Sequence, residues 1–260
     1  MVDLAHELIY RSADREEGAD AIVYQGQKIT YASLASEVEI TARALLNVGL
    51  GRSERLAVYL EKRPETVVAL FAAVAAGGVF VPVNPLLKSD QVTYILSDCN
   101  VRVLVTSAHR LQLLTPVLSR CHDLHTVVVV GKKEALPIIM GLTIIFWEDL
   151  CKPVGITKSH PIIDSDIAAI LYTSGSTGKP KGVVLSHRNL IAGAKSVCQY
   201  LENNSHDRIL SVLPLSFDYG LSQITTAFYI GATSVLINYL LPRDIIGTTE
   251  TENITGLAAV

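Results

Sequence analysis

The chain has 260 residues, 49% of them apolar and 18% charged, with a formal net charge of -3. That length supports a substantial core and more than one subdomain, and the near-neutral balance excludes a global basic footprint for nucleic acid. Four scattered cysteines (Cys99, Cys121, Cys151, Cys198) lack C-x-x-C spacing, which argues against zinc and a disulfide scaffold and suits a reducing, cytoplasmic setting.

Residues 1–20 read as a polar helical lead-in, with early acids and no basic-then-apolar leader. Short strands at 21–24 and 28–31 flank Gln25-Gly26-Gln27, a hairpin signal. Thr30 is placed to cap a helix whose apolar positions are Leu34, Val38, Ala42 and Leu45, ending at Gly49. A strand at 55–60 follows, and Pro64 with Glu65 opens the next helix. Residues 66–83 carry no charge, yet Gly77-Gly78 and Pro82 divide them into a helix and a strand. A membrane span needs ~20 continuous apolar residues, so this segment reads as buried core.

The pattern then repeats: strand 79–83, helix 89–98, strand 101–106, helix 108–120, strand 126–130. Valine-rich strands alternating with amphipathic helices predict an α/β chain with doubly wound, mainly parallel sheets flanked by helices. Residues 132–160 are irregular and read as an excursion before a central strand. Ser186 is expected to cap a helix over 187–201, and the polar stretch 203–207 makes a boundary. Strand 209–213, a turn-like 214–220, an apolar helix 221–229 and strand 233–237 complete the pattern. Provisional subdomains are 18–62 with 205–260, and 63–204. The final residues, "ITGLAAV", form an apolar run without a stop signal, so a fragment is expected.

The stretch "TSGSTGKPKG", Thr173 to Gly182, holds three glycines, four hydroxyl residues, two lysines and one proline. It is expected to lie between two buried strands, since an apolar run enters it and Val183-Val184 leaves it. Glycines let backbone amides converge on an anion, hydroxyls add donors, and lysines neutralise it. An ordinary turn needs one or two special residues rather than ten, so density favours a phosphate loop over a plain one. The Walker pattern fails, because Thr173 stands where its first glycine belongs and Pro180 follows Lys179. The dinucleotide pattern fails on glycine spacing.

"LYTSGSTGKPKGVVLSH", Leu171 to His187, resembles the phosphate loop of the AMP-forming adenylating enzymes: acyl-CoA synthetases, peptide-synthetase adenylation domains and luciferases. Residues 29–85 and "LPLSFDYG" (213–220) resemble the same superfamily, so the likeness covers roughly residues 18–240. It implies the N-terminal portion of the large adenylating domain, with two packed subdomains, truncated before its barrel and C-terminal domain. It implies ATP contacts from Thr173, Ser174, Gly175, Ser176, Thr177, Gly178 and Lys181, while Lys179 falls where the family pattern varies. Phe217 and Asp218 match substrate-side positions. Phe217 stands where many acyl-CoA synthetases have His, and Asp218 matches an aspartate that pairs with the α-ammonium group in amino-acid-activating relatives; Asp218 also fits a turn residue.

The implied chemistry is attack of a carboxylate on the α-phosphorus of ATP with Mg2+ present, then transfer of the acyl group to coenzyme A or a carrier-protein thiol. The first reading is an acyl-CoA synthetase. Its rivals are an amino-acid-activating domain and a noncatalytic nucleotide-binding module. Expected partners are a small carboxylic acid, ATP and an acyl carrier protein, with no nucleic acid and no membrane span. His187 is expected in the first turn of a helix without a catalytic role, and Asp164 and Asp166 as loop carboxylates without a metal. The superfamily's Tyr-Gly-x-Thr-Glu segment is not found in these residues, so the isolated chain is expected to be nearly inactive.

Overall fold

The structure is a computed structural model that describes residues 3–152, 159–174 and 179–260. The lead-in forms α1 (Glu7–Arg15). Strands β1 (Asp20–Tyr24) and β2 (Gln27–Thr30) form the expected hairpin. Gln25 and Gly26 both hold positive φ, 51° and 76°, as a two-residue primed turn demands. Thr30 caps α2 (Tyr31–Asn47), its hydroxyl oxygen accepting from the Ser33 amide at 3.2 Å. After β3 (Arg55–Tyr59), Pro64 opens α3 (Pro64–Ala75). That helix stops in a Schellman motif: the Gly77 amide donates to Val74 O, the Gly78 amide to Ala73 O, and Gly77 has φ +85°.

Next come β4 (Val79–Pro82), α4 (Ser89–Asp98), β5 (Val101–Ser107), α5 (Ala108–Leu114) and β6 (Thr126–Val130). The helix expected over 108–120 is cut short because Pro116 supplies no amide; residues 118–120 form only a 3-10 turn. β7 (Thr143–Phe146) and α6 (Trp147–Leu150) follow, then β8 (Ile167–Thr173), β9 (Lys181–Ser186) and α7 (His187–Tyr200). The chain continues through β10 (Arg208–Ser211), α8 (Asp218–Ile230), β11 (Thr233–Leu236), α9 (Pro242–Thr251) and β12 (Gly256–Leu257).

Two sheets result. One has the order β7-β6-β5-β3-β4-β8-β9, parallel throughout except for β9, which runs antiparallel to β8. The other has the order β12-β10-β11-β1-β2, parallel except for the β1–β2 hairpin. Strand alternation assigns the faces. Leu56 and Val58 of β3 point into the core between the sheets, while Ala57 and Tyr59 point to the opposite face, under α4 and α5. The space between the sheets is filled by α2, α3 and α8. Residues 66–74 of α3 are all buried, and Phe71 meets Phe228 edge-on at 5.4 Å. The uncharged segment is therefore core, as its Gly-Gly break indicated. Among the described residues no helix is long and apolar enough to cross a membrane.

Several expectations change. The excursion over 132–160 contains a strand: β7 pairs in parallel with β6 and extends the large sheet. The strand leaving the phosphate loop is not buried. β9 lies at the sheet edge, with Val183 and Val184 about half exposed, because no further strand covers it among the described residues. Helix α8 begins at Asp218, three residues earlier than read, so the stretch 214–220 is turn only up to its cap, Phe217. β3 pairs with β4 and β5 in the larger sheet.

Candidate nucleotide and acid site

In parallel sheets, ligands bind outside the carboxyl ends of the strands, near the point where successive connections run to opposite sides. Here β3 connects to β4 on one side, and β5, β6 and β7 continue on the other, so that point lies at β3 and β5. The carboxyl ends of β3 and β4, with the start of α5, face those of β10 and β11 across a cleft of about 410 Å3. Its walls are mostly apolar and include Val58, Leu60, Val83, Pro85, Val212 and Tyr239. The phosphate-loop stretch leaves the carboxyl end of β8, one strand beyond β4.

Of the residues expected to hold phosphate, Thr173 and Lys181 are partners in the β8–β9 ladder, and both are exposed, as is Ser174. Gly175, Ser176, Thr177 and Gly178 lie outside the described residues. The stem is tight: a Cβ on Gly182 would come within 2.7 Å of Ile170 Cγ2 and 3.4 Å of the Tyr172 ring. Helix α4 contacts β8 and the residue two before β9. The Tyr172 hydroxyl donates to Asp98 Oδ2 at 2.6 Å, and the Lys179 ammonium sits 5.9 Å above the centre of the Tyr94 ring. Burial, and then the Asp98 carboxylate, push the Tyr172 phenol well above its ordinary range, so it remains a donor. A carboxylate at a helix C-terminus opposes the helix dipole, and the tyrosine donor offsets that. Lys179, which falls where the family pattern varies, therefore sits over an aromatic ring. Tyr94 and Asp98 carried no motif signal of their own.

On the acid side, Phe217 caps α8 and is 42% exposed, so its ring is free to meet a ligand. Asp218 is the first residue of that helix. Its Oδ1 accepts from the Tyr219 amide at 2.8 Å, a favourable place for an acid against the helix dipole. The loop before it is folded hard against itself: the Phe217 amide donates to Pro214 O at 3.0 Å, and a Cβ on Gly220 would sit 2.0 Å from that same oxygen. Only glycine fits there.

One residue that sequence reasoning passed over also lines the cleft. Lys62 lies in the charged run "EKRPE", yet it is only 8% exposed. Its ammonium donates to Ser211 O at 2.6 Å and Leu213 O at 3.2 Å. Burial brings its pKa down from 10.5 to about 7.

The remaining candidates have partners within the protein. His187 is buried at the start of α7, its Nδ1 accepting from the Ala5 amide at 3.0 Å. Asp164 pairs with Arg188, and both Asp166 oxygens pair with Arg52 at 2.9 Å. Among the described residues, no group of three or more His, Cys, Asp or Glu is placed to hold a metal.

Compared with known proteins, residues 9–260 match the family described as AMP-binding enzyme. The chain belongs to that family. Among AMP-binding relatives, surfactin synthase subunit 2 of Bacillus subtilis (strain 168) is 31% identical over 87% of this chain, which spans 6% of that protein. The N-terminal subdomain of Klebsiella oxytoca NpsA, solved with 3-hydroxybenzoyl-AMSN, is 25% identical with a TM-score of 0.77, covering 98% of this chain and 59% of that one. The anthranilate CoA ligase AuaEII, solved with anthranoyl-AMP, shares the fold at a TM-score of 0.89 and 24% identity, covering 98% of this chain and 49% of that one. The described chain is thus the N-terminal fold of adenylate-forming enzymes, and it spans about half the length of the solved relatives and far less of the synthase.

Proposed function

We propose that this chain is the nucleotide- and acid-binding part of an AMP-forming acid–thiol ligase, with coenzyme A as the thiol acceptor. The observation that carries the reading is the polar decapeptide, set at the carboxyl end of a parallel strand in a chain of the AMP-binding family. Thr173, Ser174 and Lys181, with Gly175, Ser176, Thr177 and Gly178, would hold the phosphates through hydroxyls, amides and one ammonium. The exposed donors on the stem fit such an anion. A carboxylate oxygen attacks the α-phosphorus, and the bond to pyrophosphate breaks; a thiol sulfur then attacks the acyl carbon, and AMP leaves. Mg2+ on the phosphate oxygens supplies charge neutralisation when bound.

Asp218 favours a plain acid over an amino acid, because its carboxylate is engaged at its own helix terminus. The amino-acid reading draws support from the same residue's identity beside an exposed Phe217 and from the peptide-synthetase relative. Displacement of a fluorescent ATP analogue by acyl-sulfamoyl adenosines separates the two. Alkyl or aryl forms should displace it tightly with or without Asp218→Ala. Preference for aminoacyl forms that disappears in Asp218→Ala supports the rival, and no displacement by any form refutes both.

A further inference from the structure

We infer that Lys62 is the positioning residue that sets the acid-binding loop: a clamp from the large sheet that fixes residues 211–217, and through them Phe217 and Asp218. The inference rests on the acid–thiol ligase reading for its ligand, and on geometry for the clamp itself.

Lys62 follows β3 of the seven-stranded sheet, but its hydrogen bonds cross to the segments that leave β10 and β11 of the other sheet. Its ammonium donates to two carbonyls on the segment leaving β10, Ser211 O and Leu213 O. Its backbone is gripped in both directions by Asn238, just beyond β11. The Lys62 amide donates to Asn238 Oδ1 at 3.1 Å, and Asn238 Nδ2 donates to Lys62 O at 2.6 Å. Four hydrogen bonds thus join the carboxyl ends of β3, β10 and β11 across the cleft.

The segment so held leads straight into the acid-side motif. Leu213 is followed by Pro214, whose carbonyl accepts the Phe217 amide and blocks any side chain at position 220. A shift of Leu213 O is therefore passed to the cap of α8 with little slack. A buried ammonium with two of its three donors on carbonyls is costly to place unless it fixes something. Its two carbonyl partners favour the charged form against the burial that disfavours it. The phosphate stem, held by α4 instead, has no part in this network. Lys62 should therefore act on acid binding and leave nucleotide binding alone.

The test uses the full chain, with Lys62→Met, Lys62→Arg and Asn238→Ala, the last at an exposed position that should tolerate change. Amide hydrogen exchange over 211–217 reads the clamp. Affinity for ATP and for an acyl-sulfamoyl adenosine reads its consequence. In Lys62→Met, exchange over 211–217 should rise tenfold or more and analogue affinity fall tenfold or more, with ATP affinity within twofold. Lys62→Arg, which keeps donors, should recover part of both effects, and Asn238→Ala should show the same pattern more weakly. Unchanged exchange in both Lys62→Met and Asn238→Ala, or equal loss of both ligands, overturns the clamp. Should Lys62→Met fail to fold, Asn238→Ala alone decides by the same criteria. Absence of analogue binding by the unmodified chain refutes the ligase reading, while the exchange result still decides the clamp.

Discussion

The phosphate stem and the acid-side corner are built in opposite ways. The stem is an exposed sheet edge: Thr173, Ser174 and Lys181 face solvent, β9 has one neighbour among the described residues, and α4 holds the stem through Tyr172–Asp98 and Lys179–Tyr94. The acid-side corner is packed. Gly220 has no room for a methyl group, Lys62 is buried against carbonyls, and α8 runs from Phe217 into an aromatic cluster of Phe228, Phe71 and Tyr31. The difference separates function from folding at one end and joins them at the other. Substitutions on the stem should change binding with little effect on stability, whereas substitutions at the corner should change both.

The strongest break of the corner is Phe228→Ala. Its ring meets Phe71 at 5.4 Å and Tyr31 at 6.0 Å, so about 3–5 kcal/mol of stability should be lost in denaturant titration. Gly220→Ala comes next, at about 3 kcal/mol, because the obstacle is the Pro214 backbone carbonyl rather than a side chain that can swing away. Analogue binding should weaken along with stability.

The far ends of the same strands give a third test. His6 stands beside His187 and Tyr10, and burial, then the neighbouring His187, bring its pKa from 6.5 down to about 4. Its folded value lies below its unfolded one, so the unfolded chain binds more protons between those values. Stability is therefore present above pH 6.5 and is lost as pH falls towards 4, by about 3 kcal/mol at most. His6→Phe should flatten that part of the stability profile. A profile unchanged by the substitution would remove His6 as its source.

Sequence made the large sheet legible because valine-rich strands buried on both faces alternate with amphipathic helices, and the decapeptide stood out by density of donors. The unread parts have physical reasons. "TIIF" of β7 carries no alternation because it is a half-exposed edge strand, and Val183-Val184 looks buried by residue type although β9 is exposed. Asp218-Tyr219-Gly220 reads as a turn, since glycine is a poor helix former; in the structure these residues open α8, and Gly220 packs against the Pro214 carbonyl where no side chain fits. Lys62 sits in a charged run whose direction no local pattern reveals. The stem was visible because its chemistry is local; at the corner Phe217 and Asp218 were visible as a motif, while Lys62 was hidden because its role is made by packing.

The smallest expected effect sharpens the contrast. Val184→Thr, on the exposed edge, should change stability by no more than ~0.5 kcal/mol. A core-sized loss there would mean that the edge is covered.

Titration calorimetry of MgATP into the unmodified chain and into Lys181→Ala tests the central claim most directly. The account predicts one bound nucleotide, an affinity about tenfold weaker in Lys181→Ala (about 1.4 kcal/mol) and an unchanged melting temperature. No binding by the unmodified chain, or equal affinity in both, would contradict it.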